Sequence, residues 1–233
     1  MIEGPGVSAE EGRKKGIGSA DDPHFPLMIS LREKDIVIVG GGDVALHKAA
    51  LLQPYSRSIT VYSEEFTDGF ESLDVKRIKV SGDDVLKLIG EPFLVICATD
   101  NHSLNDRIMK HCAANGILCN NVDVVDSDVY FASMIKGGPL TVSISTNGMS
   151  PTMSRFTKET IMNALNRAFW EMLDIQSELR KELRYGIPEM SRRKEILCSV
   201  VYDPEIWLLL EQGRKEEASK LAIRKVNSLA QGK

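Results

Sequence analysis

With 233 residues, 42% of them hydrophobic and 27% charged, the chain has enough apolar material for one or two packed domains with a sizeable core. A formal net charge of −4 at pH 7 and a sequence pI near 5.7 exclude a general electrostatic attraction to nucleic acid, and there is no basic stripe interleaved with aromatics to counter that. No apolar run approaches the ~20 residues of a membrane-spanning helix and the N-terminus lacks the apolar core of a secretory signal, so a cytoplasmic location with no membrane partner is expected.

Residues 1–23 set glycines among charges with few apolar side chains and are expected to form a flexible extension. His24 to Leu31 has the composition of a short edge strand, with Pro26 tolerable only at an edge. Ile36 to Val39 then forms an unbroken β-branched run that suits a strand buried on both faces of a parallel sheet. It ends in Gly40, Gly41 and Gly42 and passes through Asp43 and Val44 into a helical pattern from about Val44 to Gln53. With Ala45 as the third small residue this is G-x-G-x-x-A, the strand, phosphate loop and helix of a dinucleotide site. Gly40 allows the tight turn and Gly42 the close approach of backbone to a pyrophosphate, while the helix start offers unpaired N–H groups and the positive end of its dipole. A glycine turn after a buried strand can also serve packing alone, so the surrounding strand ends have to decide between the two readings.

Ser58 to Ser63 is the next β-rich run, one helix length away, as a right-handed βαβ unit requires. Ser63 occupies its C-terminal end with Glu64 and Glu65 after it, and acidic neighbours there favour NAD over a cofactor carrying a 2′-phosphate. A strand over Val75 to Val80 and a short helix over Asp83 to Ile89 follow, then a buried strand within Pro92 to Asn101. Its polar end places Thr99 and Asp100 on the ligand side of the sheet, or else Asp100 or Asn101 caps the helix expected over Ser103 to Asn115. Ile117 to Asp123 is the fifth strand, closing on Asn121, Val122 and Asp123. Asp126 and Asp128 follow, and on spacing alone three such carboxylates make a solvated loop or a weak cation site. Asp123 is distinguished by its place at a strand end.

Tyr130 to Lys136 and Leu140 to Thr146 alternate in polarity like the two strands of a hairpin, joined by a turn longer than the minimum. From Thr152 to about Arg184 the pattern is one helix, whose Phe156, Ile161, Ala164, Leu165 and Ala168 suit a core or a subunit interface. Gly186 and Pro188 break it, and Ser191 to Val201, Pro204 to Gln212 and Lys215 to Leu229 form short helices. Cys97, Cys112, Cys119 and Cys198 form no C-x-x-C pair, and the four histidines form no H-x-x-x-H pair, so reduced buried thiols and no resident metal are expected.

The order of four motifs carries a family resemblance. Val37 to Ala45 with Lys48 beyond, Ala98-Thr99-Asp100, Asn121-Val122-Asp123 and Ser145 to Pro151 together resemble the precorrin-2 dehydrogenase / sirohydrochlorin ferrochelatase family of sirohaem synthesis, from about Phe25 to the C-terminus. The resemblance implies an α/β fold: a Rossmann-type NAD-binding domain over 24–128, a small α+β dimerisation region over 129–185 and an all-helical C-terminal domain over 186–233. It implies a homodimer that oxidises precorrin-2 to sirohydrochlorin with NAD, and in bifunctional relatives also inserts ferrous iron. Asp123 falls at the family's key aspartate, a general base. The cofactor-binding set is then Gly40, Gly41, Gly42, Asp43, Val44, Ser63, Thr99, Asp100, Asn121 and Val122, and the tetrapyrrole contacts are Ser145, Thr146 and Asn147. Some relatives carry a modifiable serine where this chain has Thr146. A different class of function, an NAD(H)-sensing regulatory module whose helical tail relays the bound state, uses the same fold.

Overall fold

The computed structural model describes residues 24–124 and 127–230, so the expected extension and Asp126 lie outside the described residues. The described residues divide into two compact units, 24–124 and 127–131 with 147–149, and 132–146 with 150–230.

The first unit is a parallel sheet built from β1 (Asp35–Val39), β2 (Ser58–Ser63), β3 (Lys76–Lys79), β4 (Leu94–Cys97) and β5 (Leu118–Asn121), in the order β3-β2-β1-β4-β5. Its helices are α1 (Asp43–Leu52), α2 (Val85–Leu88) and α3 (His102–Asn115). The strand order reverses between β1 and β4, which opens a crevice beyond their carboxyl ends. Both faces of the sheet are buried, which is why β1 reads as a continuous apolar run. Ile36 and Ile38 pack with Ala45, Ala49 and Leu52 of α1, whereas Val37 and Val39 pack with Leu104, Ile108 and Cys112 of α3. Each valine, leucine or isoleucine side chain among these removed from water contributes about 1.5–3 kcal/mol.

The free edge of β5 is closed by the chain that follows it. Ser127 Oγ accepts a hydrogen bond from Asn121 N at 3.0 Å, Asp128 Oδ2 accepts one from Cys119 N at 3.0 Å, and Val129 N donates to Cys119 O at 3.3 Å. Asp128 is thus a strand partner. The segment from His24 to Leu31 is not a strand: it is irregular and exposed up to Ser30, and Leu31 alone packs against the core. Pro26 removes one of the N–H groups that edge pairing would need.

The second unit contains the hairpin β6 (Ser133–Gly137) and β7 (Leu140–Ile144), followed by α4 (Pro151–Ala164), α5 (Arg167–Gly186), α6 (Met190–Val201), α7 (Pro204–Glu211) and α8 (Lys215–Ala230). Gly137 pairs with Leu140, so the turn is the two-residue minimum and not the longer one expected. Gly138 makes this possible at φ 49°, the left-handed conformation that primed hairpin turns need. The single long helix expected from Thr152 to Arg184 is two helices. Leu165 leaves helical conformation and the side chain of Asn166 caps α5, accepting from Phe169 N at 3.0 Å. Met172, Ile175, Leu179 and Leu183 of α5 then form one core with Ile196, Val200, Ile206, Leu210 and Ala222 of α6 to α8. Among the described residues no helix is long and apolar enough to cross a membrane.

Candidate functional site

The turn after β1 is locked by backbone on both sides. Gly40 has φ 126°, and a Cβ on it would stand 2.1 Å from the Ala98 carbonyl oxygen. A Cβ on Gly41 would stand 1.9 Å from the Glu65 carbonyl oxygen, and Gly41 O accepts from Thr67 N at 2.7 Å. Gly42 differs: nothing lies within 4 Å of the position its Cβ would take, and it caps α1 without a side-chain acceptor. Among the described residues no side chain caps the start of this ten-residue helix, so its first N–H groups are left for a ligand in the open cradle. That cradle fits the pyrophosphate of a dinucleotide.

A crevice of about 680 Å3 opens beyond it, lined by Gly40, Gly41, Gly42, Asp43, Val44, Ser63, Thr99 and Asp100. These eight expected cofactor residues are brought together. Glu64 and Glu65 line the same crevice, and Glu64 Oε1 accepts from Ser81 Oγ at 2.8 Å and Gly82 N at 3.0 Å, which fixes a carboxylate on the β2 side. Asn101 serves as the cap of α3, accepting from Leu104 N at 3.0 Å.

Asn121 and Val122 lie elsewhere in the same unit. They line a second concavity of about 520 Å3 on the β5 side of α1, which shares Asp43 and Val44 with the first. Sequence reasoning missed most of what surrounds it. Lys48 of α1 stands 4.0 Å from the centre of the Phe131 ring, and partial burial holds its ammonium below the ordinary lysine range. It has no carboxylate partner among the described residues. Asn120, 93% removed from solvent, donates through Nδ2 to Val129 O at 2.8 Å, and its buried Oδ1 has no hydrogen-bond partner among the described residues. The half-buried Lys48 cation on the wall of this concavity suits a ligand with an anionic group.

Asp123 sits in the turn after β5, between Val122 and Val124 of that concavity. Its Oδ2 accepts from Asn105 Nδ2 at 2.8 Å and lies 3.0 Å from His102 Nδ1, while its backbone N donates to Asn121 Oδ1 at 3.1 Å. Asn105 is fully buried. It also donates to Thr99 O at 2.9 Å and accepts from Thr99 Oγ1 at 2.6 Å, tying the end of β4 to the end of β5. Neither His102 nor Asn105 was singled out in the sequence. The available signal was their i, i+3 spacing at the start of α3, which puts both on one face of the helix.

Cys97, Cys112 and Cys119 are buried together between β4, β5 and α3, with the Sγ atoms of Cys97 and Cys119 3.8 Å apart. Hydrogen bonding to Cys119 and burial push the Cys112 thiol far up, and the Cys119 thiol is likewise raised, so these two are protonated packing groups. Among the described residues no group of three His, Cys, Asp or Glu side chains is placed to hold a metal ion.

Of the expected tetrapyrrole contacts, Ser145 and Thr146 belong to the second unit and Asn147 is grouped with the first. Thr146 Oγ1 is occupied within its own loop, accepting from Ser150 N at 3.1 Å and lying 3.2 Å from Ser154 Oγ.

Residues 27–133 match the family described as "Putative NAD(P)-binding", and residues 138–163 match "Sirohaem biosynthesis protein central". The chain is 35% identical over 209 residues to a precorrin-2 dehydrogenase of Methanosarcina barkeri, covering 86% of this chain and 91% of that one. It is 29% identical over 216 residues to a siroheme synthase of Methylococcus capsulatus, covering 89% of this chain and 44% of the relative. The chain thus spans less than half the length of that synthase. Among solved structures it superposes on SirC, a precorrin-2 dehydrogenase, with TM-score 0.69 and 22% identity over 86% of this chain and all of that one.

Proposed function

We infer that this chain, which belongs to the precorrin-2 dehydrogenase family, oxidises precorrin-2 to sirohydrochlorin with NAD in sirohaem synthesis. The observation that carries the inference is the Asp123 carboxylate, held by Asn105 and His102 at the end of β5 in the unit that carries the glycine cradle. Gly40 to Gly42 and the start of α1 hold the pyrophosphate, and Ser63 with Glu64 faces the adenosine side. Bound there, NAD supplies a two-electron hydride acceptor. Oxidation of the macrocycle releases a hydride and a proton, and Asp123 takes the proton.

The second concavity suits a substrate of this chemistry. Lys48 offers a cation to a carboxylate side arm. Ser145, Thr146 and Asn147 are proposed as tetrapyrrole contacts in their own right, and a ligand there would compete with Ser150 and Ser154 for the Thr146 hydroxyl. Insertion of ferrous iron into sirohydrochlorin would draw on the same carboxylate as the acceptor of pyrrole protons.

A cytoplasmic homodimer joined through residues 129–185 completes the reading. It is supported by α4, which buries none of its residues and leaves Met153, Phe156 and Met162 more than half exposed. Titration of the purified chain with sirohydrochlorin, read by visible absorbance, followed by NADH formation from precorrin-2 and NAD, tests the proposal. NADH formation supports it. NADH binding with no tetrapyrrole affinity and no turnover would instead favour a nucleotide-sensing module, and iron uptake by the same preparation decides the chelatase activity.

A further inference from the structure

The two oxygens of Asp123 have different surroundings. Oδ2 takes both side-chain contacts, from Asn105 Nδ2 at 2.8 Å and His102 Nδ1 at 3.0 Å, whereas Oδ1 has no hydrogen-bond partner among the described residues. Asn105 is buried and anchored at both ends of its amide by Thr99, so its donor cannot swing away. His102 stands on the other side, at the first position of α3, with its side chain 78% exposed. An ionised carboxylate only accepts hydrogen bonds, so a hydrogen bond between the ionised Asp123 and His102 requires the imidazole to donate through Nδ1.

Resting on the dehydrogenase reading, we propose that His102 is a positioning residue for the reaction: with Asn105 it pins Oδ2 and so presents Oδ1 of Asp123 as the atom that takes the proton from the substrate carbon. The C–H electron pair left by that proton stays in the macrocycle as the new double bond, and the second hydrogen leaves as hydride to NAD, so one proton and two electrons are accounted for. The titratable group facing the imidazole from the β5 end is Asp123, and the charged neighbours in its own segment are Asp100 and Asp106. All three are acidic. Removing His102 leaves Oδ2 with one donor, and the carboxylate can rotate about the remaining bond to Asn105.

The test compares His102→Ala, His102→Gln and the unaltered chain, each first checked for NADH binding by fluorescence titration. The alanine variant should bind NADH normally, lose about tenfold in kcat for precorrin-2 with KM for NAD unchanged, and regain rate when free imidazole is added. The glutamine variant, which keeps an N–H donor at that position, should recover most of the loss. An alanine variant with wild-type kcat, or a loss that neither imidazole nor glutamine reverses, overturns the positioning role while leaving the dehydrogenase reading in place. If the unaltered chain binds NADH but does not oxidise precorrin-2, the reading itself fails and this role falls with it.

Discussion

Two alanine substitutions two residues apart should separate folding from cofactor binding. At Gly40 the backbone is at φ 126°, and a methyl group would stand 2.1 Å from the Ala98 carbonyl oxygen and 2.6 Å from its carbon. Uncharged atoms settle at roughly 3.5–4 Å, so the end of β4 would have to retreat by more than about 1 Å. Ala98 N donates to Val39 O at 2.8 Å, and that retreat would open the ladder between the two central strands. Backbone strain of about 1–3 kcal/mol and overpacking of about 1–3 kcal/mol place the cost of Gly40→Ala at roughly 2–6 kcal/mol. Against the about 5–15 kcal/mol of a typical domain this is a severe loss. At Gly42 the backbone is at φ −82° and no atom lies within 4 Å of the added carbon. Gly42→Ala should therefore change stability by no more than ~1 kcal/mol, because the poorer N-cap is offset by the reduced freedom of the unfolded chain. Its methyl group would intrude on the cradle instead, and NADH affinity should fall at least about tenfold, or ~1.4 kcal/mol. Thermal unfolding and NADH fluorescence titration on both variants read the two effects. A Gly42→Ala protein with wild-type NADH affinity, or a Gly40→Ala protein with wild-type thermal stability, would refute the assignment of the cradle.

The carboxylate wall formed by Glu64 beside Ser63 predicts that NADH binds at least about tenfold more tightly than NADPH, and equal affinities in parallel titrations would count against it. Lys48→Met should raise KM for precorrin-2 by about tenfold with NADH binding unaltered, since the half-buried cation over Phe131 is assigned to a carboxylate arm; an unchanged KM removes that assignment. In the second unit, a hydrogen bond from Lys225 and the backbone N–H groups of Ile206 and Glu205 hold the Asp203 carboxyl below its usual range. A carboxyl depressed in the folded state stabilises above its unfolded pKa of about 3.9 and loses that contribution as pH falls through the folded value. Asp203→Ala should therefore cost about 1 kcal/mol in urea denaturation near neutral pH, as loss of the α7 cap implies, and the gap should close in strong acid. A gap independent of pH would refute the linkage.

The parts of the fold that were legible in the sequence are those with a local cause. The run Ile36 to Val39 suited a strand buried on both faces, and Gly40 to Gly42 followed by Ala45 suited a turn into a helix packed on it, which the structure reproduces. The break at Leu165 and Asn166 escaped because the apolar spacing continues through it. Asn166 by itself reads as an ordinary helical residue until its side chain is seen to cap α5. The hairpin turn was misjudged because Gly137 belongs to the strand, where its Cβ would stand 2.4 Å from the Trp170 ring, leaving only Gly138 and Pro139 to turn the chain. In the candidate site, Asp123 was found from its place at a strand end. Its partners were not, because His102 is 21 residues away and Asn105 is 18, and only the parallel pairing of β4 with β5 brings the start of α3 to that turn. Lys48 was visible only as part of a motif. That it is half-buried without an anionic partner among the described residues is a property of the packed concavity.

The most direct measurement is turnover of precorrin-2 with NAD by Asp123→Asn beside the unaltered chain, with NADH binding measured on both. Asparagine keeps the size of the side chain and can still bond to Asn105 and His102, but it cannot take a proton. NADH affinity should be unchanged while kcat falls by about a hundredfold or more. An Asp123→Asn protein that oxidises precorrin-2 at the wild-type rate would contradict the assignment of Asp123 as the base.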